Sequence, residues 1–375
     1  MRDEARAVAP IFDPARLKLA RESRGILKSR LAHLVDISPA AIGQFESGTA
    51  KPSAATLGHL ALALDYPPAF FAFTGESRTA PTISDTFFRS LRSARQAELL
   101  KAVAHATLVH EVVVKLEERV KFPSLDLPTD LHVTASTTTD EIEEIVGLLR
   151  ERWELPNGPV AHVVLLLELH GVVVTRYRSG SDRVDAFSQP FGDRPIVVLG
   201  DDKGAADRSR LDAAHELGHL TMHPDPQPGD RTLENQANAF AAAFLMPRAE
   251  IIDTLPRRRI DWIEMVRLKR TWGVSIQALL YRARELGTLE AATYTNAMKT
   301  VSRRGWRKLE PGSLGDPEQP QMLAKAVAAL ATVGVGLSDL APMMKLSEPS
   351  LRQILGITER AEDKVELLLP DEPTN

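Results

Sequence analysis

The chain has no cysteine in 375 residues, which excludes disulfides, thiolate metal sites and a cysteine nucleophile. Any metal must therefore be held by histidine and carboxylates, and a thiol-free chain suits a reducing cytosol. The sequence also lacks any run of the roughly eighteen apolar residues that a membrane-spanning helix needs, and Met1 to Arg6 has no apolar core of signal-peptide length. Neither membrane insertion nor export by those routes is expected. The chain also lacks a net positive charge: 46 lysines and arginines stand against 50 aspartates and glutamates, a formal net charge of -4, so any contact with nucleic acid must use a local basic face. Apolar residues, at 43%, suffice for packed cores in the two or three domains that this length suggests.

The most informative stretch is Asp212-Ala213-Ala214-His215-Glu216-Leu217-Gly218-His219-Leu220. His215 and His219 stand four residues apart, so on a helix their imidazoles leave one face and can meet a single ion. Glu216 flanks that ion, where a carboxylate can take a proton from a water. This is the H-E-x-x-H pattern of zinc peptidases. The apolar run Ile196 to Leu199, bounded by Pro195 and Gly200, predicts a strand leading by a loop into the helix. Downstream, Thr232 to Met246 predicts a second helix, with Thr232 as N-cap, Pro247 as terminator and a small-residue face at Glu234, Ala237, Asn238 and Ala241. Close helix approach along that face would bring Glu234 to the ion as third ligand. His223, Asp225 and Asp230 compete for that place; His223 suffers from lying about 12 Å along the helix from His215, a poor match to a tetrahedral site with ligands ~2 Å from the metal.

These two helices and the preceding strand resemble the ImmA/IrrE family of bacterial metallopeptidases, which carry H-E-L-G-H followed by a Glu-x-x-Ala-Asn-x-Phe-Ala-Ala helix ending in Met-Pro. Asp225 stands where a metzincin would need its third histidine and Met222 where it would need glycine, which excludes that family. The resemblance implies zinc, a zincin-like fold with a small sheet, and relatives associated with cutting helix-turn-helix repressors.

Near the N-terminus, Pro14 to Ser23 predicts a helix, and Lys28 to Val35 and Pro39 to Glu46 predict two short helices across a turn at Asp36-Ile37-Ser38. Ser38 caps the second, with Pro39 in its first turn, and Ser53 caps a further helix through Leu57, Leu60, Ala61 and Leu64. Phe12 to Ala72 resembles the Xre group of phage-repressor-like DNA-binding domains, with a helical protein-interaction domain as the alternative. At the start and middle of its reading helix stand Pro39, Ala40 and Gly43, so Gln44, which can pair bidentately with adenine, and Ala40, which can touch a thymine methyl, carry what base reading there is. Lys28, Arg30 and Lys51 are candidate phosphate contacts, and Ser38 lies at the same surface.

The expected architecture is mainly α with an α+β part. It comprises a five-helix Xre-like domain over residues 12–74, a helical connector and linker over 75–135, a zinc metallopeptidase domain over 136–311 and a small helical module over 321–368. A polar linker is expected over Gly75 to Pro81, a helix over Ala94 to about Val120, a helix opening at Thr139 and another over Val160 to Glu168. Gly171 to Tyr177, Asp185 to Ser188 and Pro195 to Leu199 are expected strands, and Ile196 to Leu199 is expected at a sheet edge, where it would pair with an extended peptide. Trp262 to Leu286 predicts two helices split at Gly273-Val274-Ser275, with Tyr281 on the second as a candidate oxyanion donor. Leu369 to Asn375 is an expected disordered tail.

Together these features suggest a cytosolic DNA-binding regulator, expected as a homodimer on double-stranded DNA. Its zinc peptidase, with Glu216 as general base, would cleave a repressor-like protein or the chain itself. The alternative is a repressor or antitoxin whose zinc domain binds a cognate toxin or senses a ligand without significant cleavage.

Overall fold

The computed structural model describes residues 2–72, 86–88, 95–128, 131, 133–177, 186–192, 194–200, 205–224 and 229–357. The expected linker at 75–81 and tail at 369–375 lie outside them. The chain divides into two compact units: one comprises Met1–Thr86, Leu91–Phe122 and Gln321–Asn375, the other Phe87–Ser90 and Pro123–Pro320.

The first unit begins with α1 (Arg2–Val8), α2 (Pro14–Ser23), α3 (Lys28–Leu34), α4 (Pro39–Ser47) and α5 (Ala54–Leu64). The helix starts follow from local chemistry. Asp13, Ser38 and Ser53 each accept a backbone N–H of the first turn through their side chains, and proline opens α2 and α4. The turn between α3 and α4 passes through Asp36 at φ 55°, and Gly48 at φ 75° ends α4. Leu17, Leu31, Ile42, Leu57, Leu60 and Phe70 are fully buried, and Arg21 and Glu46 form a buried ion pair between α2 and α4. The sequence pattern did not reveal α1, which buries Ala5 and Val8. The unit is completed by α6 (Gln96–Glu117), α15 (Met322–Ala331), α16 (Leu337–Met343) and α17 (Glu348–Leu355).

The second unit holds β1 (Phe87–Phe88), α7 (Thr139–Arg152), α8 (Val163–Leu169), β2 (Val173–Tyr177), β3 (Ala186–Gln189), β4 (Ile196–Gly200), α9 (Ala206–Met222) and α10 (Arg231–Leu245). It continues with α11 (Arg248–Ile251), α12 (Trp262–Trp272), α13 (Ile276–Glu285) and α14 (Ala291–Arg303). The sheet order is β1-β3-β4-β2. Strand β4 runs parallel to β2, with Val173 opposite Ile196, and antiparallel to β3, with Phe187 opposite Val198. The edge position expected for Ile196 to Leu199 is thus corrected: β4 is interior, both its ladders are filled, and all four of those residues are buried. The outer side of β3 carries β1, with Phe87 opposite Ser188.

Helix α9 lies against β3, β4 and α8, and α10 packs on α9 and α7. The α9–α10 approach is close, because a Cβ built on Gly218 would stand 3.0–3.1 Å from the Phe240 side chain. Phe240 and Phe244 are fully buried on α10, each contributing about 2–3 kcal/mol of apolar burial. The N-cap of α10 is Asp230 and not Thr232: the Asp230 carboxylate accepts from the backbone N–H groups of Thr232 at 2.7 Å and Leu233 at 3.4 Å. Helices α12 and α13 are separated at Gly273, which has φ 65°, with Ser275 capping the second.

Candidate metal centre

Helix α9 presents His215 and His219 one turn apart, and α10 presents Glu234 from its first turn. The two Nε2 atoms lie 3.1 Å from each other, and Glu234 places Oε2 3.4 Å from His215 Nε2 and Oε1 3.5 Å from His219 Nε2. A tetrahedral ion with ligand bonds of about 2.0–2.1 Å has ligand–ligand edges of about 3.3 Å. Each imidazole nitrogen therefore has a Glu234 oxygen at about ligand–ligand spacing, a different oxygen for each, and the three residues form the metal-competent group among the described residues. Both imidazoles are buried, while the Glu234 side chain is 22% exposed. Burial works against ionisation of Glu234, but hydrogen bonds with the two histidines hold its carboxyl down at about 2. The charged form, the one that binds a metal, therefore prevails.

A further layer of side chains fixes this cluster. His215 Nδ1 lies 3.2 Å from Asn238 Oδ1, one turn along α10 from Glu234. His219 Nδ1 lies 3.0 Å from His223 Nδ1, His223 Nε2 lies 3.1 Å from Gln236 Oε1, and Gln236 Nε2 donates to the Thr134 carbonyl at 2.7 Å. With His219 Nε2 aimed at the cluster, its Nδ1–H donates to His223, which passes its own Nε2–H to Gln236. This sequence of donors requires a neutral His223, and burial together with the neighbouring His219 pushes His223 down to about 4. His223 thus orients a neighbour and stands outside the three-donor group. Asp230 is engaged as the cap of α10, and Asp225 lies outside the described residues.

Glu216 is fully buried beside the histidines. Its Oε2 accepts from Ser188 Oγ on β3 at 2.7 Å. Sequence reasoning missed Ser188, Asn238, Gln236 and Thr134. Asn238 had a signal, since it lies four residues from Glu234; Ser188 had none, because only the folded sheet brings β3 over α9. Tyr281 is 47% exposed on α13, and its charged neighbours are Glu285 and Arg282. Among the described residues no hydrogen bond links it to the histidine cluster.

In the first unit, Ala40 and Gln44 are exposed on α4, as is Arg30 on α3. The Ser38 hydroxyl accepts from Ala41 N as the cap of α4. Lys28 pairs with Glu46 at 3.1 Å, and Lys51 donates to the Pro10 carbonyl at 2.7 Å.

Residues 17–71 match the helix-turn-helix family, and residues 167–284 match the IrrE N-terminal-like domain of peptidase family M78. No curated protein matches the chain, and no helix among the described residues is long and apolar enough to cross a membrane. The chain is thus a fusion of an Xre-like helix-turn-helix DNA-binding domain to an ImmA/IrrE-like peptidase-family domain.

Proposed function

We propose that this protein is a DNA-binding transcriptional regulator whose second unit is a zinc-dependent peptidase acting on a repressor-like protein or on the chain itself. The observation that carries the reading is the convergence of His215, His219 and Glu234 at metal-ligand spacing beside a buried Glu216. His215, His219 and Glu234 would hold the zinc, which when bound would supply Lewis acidity toward a water and a peptide carbonyl. Glu216 takes the proton of the attacking water on its carboxylate and returns it to the leaving amine. Ser188, donating to Oε2, fixes the plane of that carboxylate, and Asn238 and His223 fix the two imidazole rings.

An extended peptide suits the sheet edge beside this site. Ser188, which holds Glu216, is in register with Phe87 of the chain's own β1, so backbone pairing at this edge runs directly opposite the catalytic carboxylate's partner. That pairing supports an extended substrate and keeps the chain itself among the candidates. The regulator works in the cytosol as a homodimer on double-stranded DNA, the usual form of this DNA-binding fold.

Glu216→Gln tests the reading. Glutamine keeps the shape and accepts the Ser188 hydrogen bond but takes no proton at neutral pH, so zinc content and DNA binding should match wild type while cleavage falls about 10²- to 10⁴-fold. Cells carrying the variant should accumulate the uncleaved repressor or uncleaved full-length chain. Wild-type regulation with zinc still bound would refute the peptidase and favour the antitoxin reading, in which the domain binds a toxin without cutting.

A further inference from the structure

The C-terminal helices α15–α17 repeat the pattern of α2–α4, with the turn between the second and third helices at a constant offset in sequence. Gly25 at φ 64° corresponds to Gly334 at φ 81°, and Asp36 at φ 55° to Lys345 at φ 55°. At the same constant offset, Ser38 corresponds to Ser347 and Gln44 to Gln353. The backbone hydrogen bonds recur with them. Ile26 N donates to Arg21 O at 3.1 Å and Val335 N to Leu330 O at 3.0 Å; Ile37 N donates to Ala32 O at 3.0 Å and Leu346 N to Ala341 O at 2.9 Å. Ser38 accepts from Ala41 N at 3.2 Å, and Ser347 accepts from Ser350 N at 3.3 Å. Leu31, Ala32 and Ile42 are buried, and so are their counterparts Leu340, Ala341 and Leu351.

A helical hairpin made only for packing does not need a left-handed residue other than glycine two positions ahead of a serine cap. Such a residue costs about 1 kcal/mol or more in backbone strain, and only four non-glycine residues adopt positive φ among the described residues. Two of those four occupy this same turn. The turn sets the angle at which the second helix projects from the first, and in helix-turn-helix modules that angle delivers the second helix to the major groove.

We propose that α15–α17 form a second helix-turn-helix that reads double-stranded DNA with α17 through Gln353 and Arg352. Gln353 is exposed, as Gln44 is on α4, and a glutamine projected there pairs bidentately with adenine. Arg352 takes the place of Gly43, and Glu348 accepts from its Nε at 3.0 Å and Nη2 at 2.9 Å, which steadies the guanidinium near the start of α17. The exposed side of α17 has no large apolar side chain: Leu351, Ile354 and Leu355 all point inward. A protein-docking helix would show the reverse. The buried Ser350 accepts from Arg24 Nη2 at 3.1 Å, tying the start of α17 to the residue that follows α2.

The two modules differ in charge. Lys28 and Arg30 have Leu337 and Asp339 as counterparts, so the second module gains little from phosphates. It should add sequence preference without steepening the salt dependence, which counts phosphate contacts.

The test uses the full-length protein and a pool of random-sequence DNA duplexes, followed by binding measurements on the selected site. Wild type should enrich a site with two blocks of preference. Gln353→Ala should lose one block and bind the original site about tenfold more weakly with an unchanged salt slope, while Gln44→Ala should lose the other block. Gln353→Lys should shift one position of that block from adenine toward guanine. Because Gln353 is exposed, these variants should melt as wild type does. The proposal is overturned if Gln353→Ala and Arg352→Ala select the wild-type site with affinity within twofold, if Gln44→Ala abolishes all preference, or if no sequence is enriched even at low salt.

Discussion

Replacing His223 with leucine separates orientation of a ligand from ligation itself. His219 carries a hydrogen on Nδ1 when its Nε2 faces the cluster, and that N–H finds its acceptor 3.0 Å away on His223. Leucine fills the space but accepts nothing, and His219 is 1% exposed, so no solvent replaces the partner. An unmet buried donor costs about 1–3 kcal/mol, which corresponds to a loss of about 10- to 100-fold in zinc affinity, the range for removal of an outer partner of a ligand histidine. Competition for zinc against a chromophoric chelator, run on the full-length wild type and variant, measures the loss directly. His223→Gln keeps an acceptor within reach and should recover most of it, and Gln236→Leu, one bond further out, should cost less than His223→Leu. Affinity of His223→Leu within twofold of wild type would refute the orienting role. A loss beyond about 10⁴-fold, the scale for removal of a direct ligand, would instead make His223 a ligand and overturn the assignment of Glu234.

Two further predictions concern stability. Arg282 is fully buried, donates Nε to the Met246 carbonyl at 3.1 Å, and is paired with Glu143 and Glu285; Arg282→Met should destabilise the second unit by about 3–5 kcal/mol, since two carboxylates lose their cation, and a denaturant midpoint equal to wild type would refute that. His105 on α6 is pushed down to about 4, by burial first and then by Lys101. The unfolded chain therefore binds a proton below about pH 6.5 that the folded one refuses. Stability of the first unit should be flat above that pH and fall as the pH drops toward 4, by up to about 3 kcal/mol, and His105→Leu should remove that slope in pH-dependent melts.

Much of the site was legible because its signals are local. His215 and His219 need only a helix to share a face, and Glu234 lies on the small-residue side of the next helix, so spacing and residue type pointed to this donor group, whereas the contact of Asn238 with His215 was missed although Asn238 stands one turn from Glu234. The helix-turn-helix is legible for the same reason: Ser38, Pro39 and Gly48 mark its boundaries within a few residues. Strand order in the sheet was not legible. Ile196 to Leu199 is a short apolar run that fits an edge or an interior strand equally, and β4 becomes interior because β2 arrives parallel on one side while β3 folds back on the other. Nor was Ser188, since its role depends on which strand the sheet places above Glu216. Helix α1 went unnoticed because its seven residues bury only Ala5 and Val8, too few for a periodic pattern.

The pairing of β1 with β3 has a kinetic consequence. A segment tethered by its own backbone competes for that edge at an effective concentration on the order of millimolar, set by tether length and independent of how much protein a cell makes. A peptide that binds alongside Ser188 must displace it. If the peptidase reading holds, weak, transient encounters with unrelated extended segments would lose that competition at micromolar abundance, while a partner held near by further contacts would win it. Selectivity at this edge would then come from residence time near the sheet, with no discriminating pocket needed for each side chain of the incoming strand.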